Sequence, residues 1–136
     1  MTIQTILSQI AQALNDSGQM PAEAAPGIIP QVTKADLASP ALSVAPATLK
    51  ADMETRRSMR MEYKVAVILA ANAEPENAAA FLDATAAIPL ILAAATLDGC
   101  AVTGFETDYY SAELLASGVF RSETTITIAT HYATIS

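Results

Sequence analysis

The alternation of apolar and polar residues along the chain predicts where its helices and strands lie. Apolar residues recur at helical spacing over residues 3 to 15, with polar residues between them, which indicates an amphipathic helix ended by Asn15 to Gly18. The prolines spread from Gln19 to Pro46 exclude a long helix in that segment and disfavour a central strand. We therefore expect an extended connector there, with room for a short edge strand.

The clearest strand pattern lies between Ala47 and Ala71, with a turn expected near Asp52 to Ser58. Alternate positions from residue 59 to 67 are apolar, and the positions between them at the start of this run are charged: Arg60, Glu62 and Lys64. This period of two is typical of a half-buried strand. From Val65 to Leu69 every residue is apolar, so that end of the strand should be covered on both faces.

A second helix is expected to begin at Glu74 to Asn77, where Pro75 occupies the first turn and acidic residues lie near the positive end of the helix dipole. Pro89 lacks the amide proton that would bond the carbonyl of Thr85, which predicts a kink or short break before Leu90. The apolar run from Ala84 to Leu97 is shorter than the roughly 20 residues of a membrane span. We interpret it as a buried helical segment.

Two more strands are predicted at Cys100 to Asp108 and at Glu123 to Tyr132, with a loop or one helical turn over Tyr109 to Leu115. The order is helix, strand, strand, helix, strand, strand. Consecutive strands with short connections usually pair antiparallel. The sequence therefore predicts one α+β domain over residues 1–136, with a four-stranded, mainly antiparallel sheet and two main helices packed against it.

The composition favours a protein with an interface. Of the 136 residues, 52% are hydrophobic and only 15% are charged, so the chain carries more apolar surface than a small monomer easily buries. The net charge of −7 argues against tight binding of nucleic acid through its phosphates, which requires a dense set of Lys and Arg side chains.

Residues that could carry catalysis are few. The chain has one histidine, His131, and one cysteine, Cys100, so neither Ser–His–Asp chemistry nor an internal disulfide is indicated, and a reducing cytoplasm fits the lone thiol. We interpret both as structural residues. Together with Tyr109 and Tyr110 they are the candidates that remain for an enzyme.

Phosphate and metal sites have no support in the residues. The glycine spacing of Gly99 to Gly104 matches a phosphate-binding loop, but Phe105 and Glu106 stand where Lys and Ser or Thr are needed. The acids of this region match no calcium-loop pattern. The sequence predicts no catalytic residue, cofactor or metal, although a pair of carboxylates brought together by the fold stays open.

Basic residues are concentrated in one segment. Four of the seven lie within nine positions: Arg56, Arg57, Arg60 and Lys64. Two interpretations apply, a solvated face of a hairpin or a contact surface for an acidic partner or DNA.

The layout of the chain resembles a known family. The strand from Met59 to Leu69, the helix after it, and the segment Asp108 to Phe120 leading into a final Thr/Ile strand are similar to the tail-terminator and neck proteins of long-tailed bacteriophages, which complete the tail and join head to tail. The similarity of layout covers nearly the whole chain. The proline-rich segment from Gln19 to Pro46 has no match in it.

The resemblance implies a structural virion protein without enzymatic activity or cofactor. Such proteins form a ring of identical subunits, usually six, on top of the tail tube, where the ring ends tail polymerisation and offers a docking face to the head. The implied partners are further copies of the chain, the tail tube protein and head connector or neck proteins, with DNA passing through the channel without specific binding and no membrane. The implied location is the head–tail junction of the virion, after synthesis in the host cytoplasm.

Two sets of site residues follow as expectations. The basic cluster of Arg56, Arg57, Arg60 and Lys64 is the candidate assembly contact. The candidate acids of the channel flank strand ends or loops: Glu54, Glu62, Asp108 and Glu113. The alternatives are another virion or tail-tube structural protein, a small homo-oligomeric binding protein, and a small enzyme.

Overall fold

The described part of the chain forms three helices and five strands, and the strands form one sheet. The computed structural model describes residues 3–27, 40–72, 75–95, 97 and 100–133, with the backbone alone for 75–78 and 131–133. In chain order the elements are α1 (Ile3–Ser17), β1 (Ala24–Pro26), β2 (Ala41–Thr55), β3 (Ser58–Asn72), α2 (Pro75–Ala94), β4 (Ala101–Asp108), α3 (Ala112–Ala116) and β5 (Val119–Ala133). The α+β class is confirmed.

The sheet has five strands in the order β1-β2-β3-β5-β4, not the four expected. All neighbours are antiparallel except β1 and β2, which are parallel. The additional strand lies in the proline-rich connector. It is held there by the side chain of Asn15 at the end of α1, whose Oδ1 accepts from the Ala24 amide at 2.7 Å and whose Nδ2 donates to the Ala24 carbonyl at 3.3 Å. One side-chain amide thus pairs both backbone polar groups of Ala24.

Strand β2 begins before Pro46, so the expected connector ends earlier than predicted. β1 pairs only with residues 42–44, and the described residues place no strand on the outer side of β2 beyond that point. A proline is tolerated at such an edge because no neighbouring strand requires its missing amide proton. The register shifts between Pro46 and Thr48, and the turn lies at Arg56 and Arg57, inside the predicted range.

Both main helices form where they were predicted. α1 buries one face through Ile6, Leu7, Ile10, Ala11 and Leu14, and it is followed by Gly18 with a positive φ of 68°. α2 begins at Pro75 and continues through Pro89, so the predicted alternative of a break is wrong. Ile88 and Leu92 on either side of the proline are fully buried, and this packing holds the helix together despite one missing backbone hydrogen bond.

The core lies between the two helices and one face of the sheet. Tyr63, Val65 and Val67 point into it, while Arg60, Glu62 and Lys64 lie on the opposite face, which confirms the predicted alternation. We call the opposite face the helix-free face because neither main helix, α1 or α2, packs on it. The short helix α3 covers one end of this face, where Leu114 packs against Ala70 and Val119. All residues from 65 to 71 are buried, which confirms the coverage of both faces predicted for Val65 to Leu69.

Helix α2 is attached to β5 by aromatic and polar contacts. The rings of Phe81 and Phe120 stack with their centroids 5.6 Å apart. Thr85 Oγ1 donates to the Phe81 carbonyl at 2.8 Å and lies 2.9 Å from Ser122 Oγ, with both hydroxyl residues fully buried. These contacts fix the helix against the first residues of β5.

Candidate assembly surface

The hairpin of β2 and β3 extends past the part of the sheet that the helices cover. We call residues 49–61 the distal hairpin. The register places Leu49 opposite Tyr63 and Met53 opposite Met59, on the face of the sheet that carries the helices. Leu49 and Met53 are nevertheless 56% and 65% exposed. The distal hairpin therefore presents apolar side chains that no described element of the chain covers.

The turn of the distal hairpin is fixed by side-chain hydrogen bonds. Thr55 Oγ1 accepts from the Arg57 amide at 3.1 Å and lies 2.9 Å from Ser58 Oγ. Arg56 and Arg57 occupy the turn itself and are both exposed. Arg57 makes no ion pair with the described residues. The turn thus holds two guanidinium groups at the end of a long, anchored hairpin.

The predicted basic cluster is divided by the structure between two places. Arg56 and Arg57 form the turn, whereas Arg60 and Lys64 lie on the helix-free face of β3. Arg60 Nη2 is 3.9 Å from Glu62 Oε2. An exposed pair at this distance contributes little to stability, typically under about 1 kcal/mol. The four cations are neighbours along the hairpin but do not form one compact site.

The four candidate channel acids also lie in separate places. Glu54 is exposed near the hairpin turn, and Glu62 lies beside Arg60 on the helix-free face. Asp108 ends β4 and Glu113 lies in the first turn of α3, both exposed and far along the sheet from the turn. Any common role of these acids requires more than one copy of the chain.

A second exposed apolar surface was not predicted as such. We call residues 108–115 the tyrosine segment. It carries Tyr109 and Tyr110, which are 48% and 53% exposed, and Leu115, which is 40% exposed. The tyrosines stood out in the sequence only as residues left over for an enzyme. Leu49 and Met53 were missed too, although their alternation with Lys50, Asp52 and Glu54 is the same period of two that revealed β3.

The residues considered for catalysis lie in β5, just before β4 and in the tyrosine segment. His131 lies in β5, and its side chain is outside the described residues. Tyr109 and Tyr110 are exposed in the tyrosine segment. Within the described residues, no group of three or more His, Cys, Asp or Glu side chains is arranged to hold a metal ion. None of the helices described there is both long and apolar enough to cross a membrane.

Three surface grooves lie at the two ends of α1. Two of them, of about 400 and 410 Å³, flank the start of α1 and share Ile3 and Pro46, and their described lining residues include no carboxylate, histidine or cysteine. The third, of about 290 Å³, lies at the end of α1, and Glu23 is the one acid among its described lining residues. These linings offer no paired acid and base for catalysis.

Cys100 is partly buried just before β4, and burial raises the pKa of its thiol. A raised pKa leaves less thiolate at neutral pH, and the thiolate is the reactive form. We expect iodoacetamide to alkylate the folded chain at pH 7.5 more slowly than the urea-unfolded chain, with the rate still rising at a pH where the unfolded chain has levelled off. Equal rates in the two states would contradict the structural role of this residue.

The chain matches no protein-family model, and no curated protein is significantly similar to it.

Proposed function

We propose that the chain is a structural virion protein that forms a ring of six subunits at the top of a phage tail tube, ends tail polymerisation and joins the tail to the head. The observation that carries the proposal is the distal hairpin. Its exposed Leu49 and Met53 and its two-arginine turn lie at the end of the antiparallel pair of β2 and β3. A surface of this kind is suited to a protein partner.

Assembly accounts for the molecule better than catalysis does. Seven large apolar side chains among the described residues are exposed, including Leu90 on the outer side of α2. The described lining residues of the three grooves, in contrast, bring no acid and base together. Association with copies of itself and with other virion proteins would bury these side chains, in a chain of which 52% of the residues are hydrophobic.

The ring acts on DNA only as a channel. The net charge of −7 per chain favours a lumen of acidic or neutral side chains, because a basic lining would bind phosphates tightly by counterion release and obstruct passage. Glu54, Glu62, Asp108 and Glu113 remain the candidate lumen acids. A ring whose lumen is lined mainly by Arg56, Arg57, Arg60 and Lys64 would contradict this part of the proposal.

The second candidate function is another structural protein of the virion, such as a tail-tube protein. The same surfaces favour it, because one head-to-tail contact builds a closed ring when its rotation closes and an open tube or filament when it does not. A small homo-oligomeric binding protein is the remaining alternative, and the grooves at the two ends of α1 are the described features that favour it.

Removal of the gene from a phage that encodes this chain separates these functions. Without a terminator, tail tubes should grow past their normal length and remain separate from filled heads, as seen by negative-stain electron microscopy. Without a tail-tube protein, tails should be missing altogether. Tails of normal length joined to heads would contradict both structural functions, and expression of the chain from a plasmid should restore normal particles.

A further inference from the structure

We infer that the tyrosine segment of one copy is the binding site for the distal hairpin of the next copy. This inference rests on the proposed ring and adds to it the two surfaces that meet. The hairpin contributes Leu49, Met53 and the Arg56–Arg57 turn. The tyrosine segment contributes Tyr109, Tyr110 and Leu115, together with the acidic residues Asp108 and Glu113.

The two surfaces lie at opposite corners of the sheet, so they cannot meet within one molecule. Met53 pairs with Met59 of β3. Asp108 pairs with Glu123 of β5, which in turn pairs with Ile68 of β3. Met59 and Ile68 are nine residues apart in β3, which is on the order of 30 Å along the strand. β2 and β4 also lie on opposite sides of the central pair of strands. Contact between the surfaces therefore requires a second copy.

The apolar parts of the two surfaces suit each other. Met53 is a flexible side chain that adapts to an uneven partner surface, and Tyr109 and Tyr110 offer large rigid faces with a polar edge. Tyrosine and methionine are enriched in the cores of protein interfaces. Met59, opposite Met53 in the ladder, is itself only partly buried and extends the apolar side of the hairpin.

The charges of the two surfaces are opposite. The distal hairpin carries four basic and two acidic residues, a net charge of +2, whereas the tyrosine segment carries Asp108 and Glu113 and no basic residue, a net charge of −2. Asp108, Glu113 and Arg57 make no ion pair with the described residues. Opposite charges steer the two surfaces together, while two hairpins or two tyrosine segments repel each other. The charges thus select a second copy in head-to-tail orientation.

A contact between two different surfaces is heterologous, so every subunit binds one neighbour through its distal hairpin and the other through its tyrosine segment. Such a contact repeats around an axis and closes when its rotation divides a full turn. A contact of two identical surfaces would stop at a dimer. The placement of the distal hairpin and the tyrosine segment at opposite corners of the sheet leaves both surfaces of one subunit available to two different neighbours.

Disulfide crosslinking tests this arrangement directly. In a Cys100→Ala chain, which then has no other cysteine, Arg57→Cys and Glu113→Cys are introduced together and the protein is oxidised mildly at micromolar concentration. We expect a ladder of covalent multimers on non-reducing gels, ending at the size of the assembled ring. Each single-cysteine variant should remain uncrosslinked. A dimer formed by Arg57→Cys alone would overturn the inference, because it would place two hairpins in contact.

Charge exchange provides a second, independent measurement. Arg56→Glu with Arg57→Glu should raise the concentration at half-assembly about tenfold or more, and so should Asp108→Arg with Glu113→Arg, because each places like charges across the contact. The chain with all four changes should assemble again. If the wild-type chain assembles, neither double substitution weakens its assembly and no ladder of crosslinked multimers forms, the inference is wrong. The proposed ring is then unaffected. A wild-type chain that stays monomeric in solution and in particles overturns the proposed ring itself.

Discussion

Ile88→Ala is expected to lower the free energy of unfolding by about 2–5 kcal/mol, the range for truncating a fully buried aliphatic side chain. Ile88 is 0% exposed and lies in α2 directly before Pro89, where the helix lacks one backbone hydrogen bond. The packing of Ile88 stabilises the helix at the point where the backbone hydrogen bond is missing. The loss is a large part of the roughly 5–15 kcal/mol that stabilises a domain of this kind, and urea unfolding followed by circular dichroism measures it.

Leu90→Ala is the matched control for this substitution. It removes a similar side chain two residues further along the same helix and replaces it with the same residue, but Leu90 is 74% exposed. Substitutions at such positions usually change stability by no more than about 0.5 kcal/mol. Equal losses for the two variants would show that α2 does not pack on the sheet through the face that carries Ile88.

The variant with Arg56→Ser, Arg57→Ser and Arg60→Ser should fold normally and lose assembly. Each arginine is exposed, and exposed charges contribute under about 1 kcal/mol each to folding, so the unfolding transition should shift little. At an interface the same groups act on association, where they steer and orient the partners. Mass photometry of the variant beside the wild type measures the loss, and normal assembly with normal head joining would show that these arginines form only a solvated face.

Net charge requires its own control, since the triple variant changes the charge of the chain from −7 to −10 by removing three cations. Ser8→Glu, Gln12→Glu and Gln19→Glu make the same change at exposed positions on α1 and just after it. This control variant should assemble like the wild type. A loss of assembly in both variants would assign the effect to general repulsion between subunits and not to the hairpin.

The elements that local pattern determines could be predicted from the sequence. The helical repeat of Ile6, Leu7 and Ile10 and the alternation along β3 depend on nearest neighbours in the chain, so the two main helices and the central hairpin were predicted near their observed positions. A short edge strand was expected to be possible in the connector, but the position of β1 at Ala24–Pro26 could not be predicted. It depends on the side chain of Asn15, nine residues away from Ala24, and no periodic pattern records that contact.

The candidate site was predictable only in part, for a related reason. A cluster of arginines is visible in any sequence, and the turn at Arg56 and Arg57 lies where its composition predicted. Exposure of Leu49 and Met53 depends on how far the hairpin extends past the helices, which is a property of the whole fold. The separation of Asp108 from the hairpin likewise follows from strand order, because β4 pairs with β5 at the far side of the sheet.

Native mass spectrometry of the purified chain, from sub-micromolar to tens of micromolar, tests the central claim of ring assembly most directly, with rings released from assembled particles measured alongside. The proposed function predicts a closed species of about 85 kDa, six copies of the 14.1 kDa chain, with no larger open series above it. A strict monomer at every concentration, together with the absence of any ring in the particles, would contradict it.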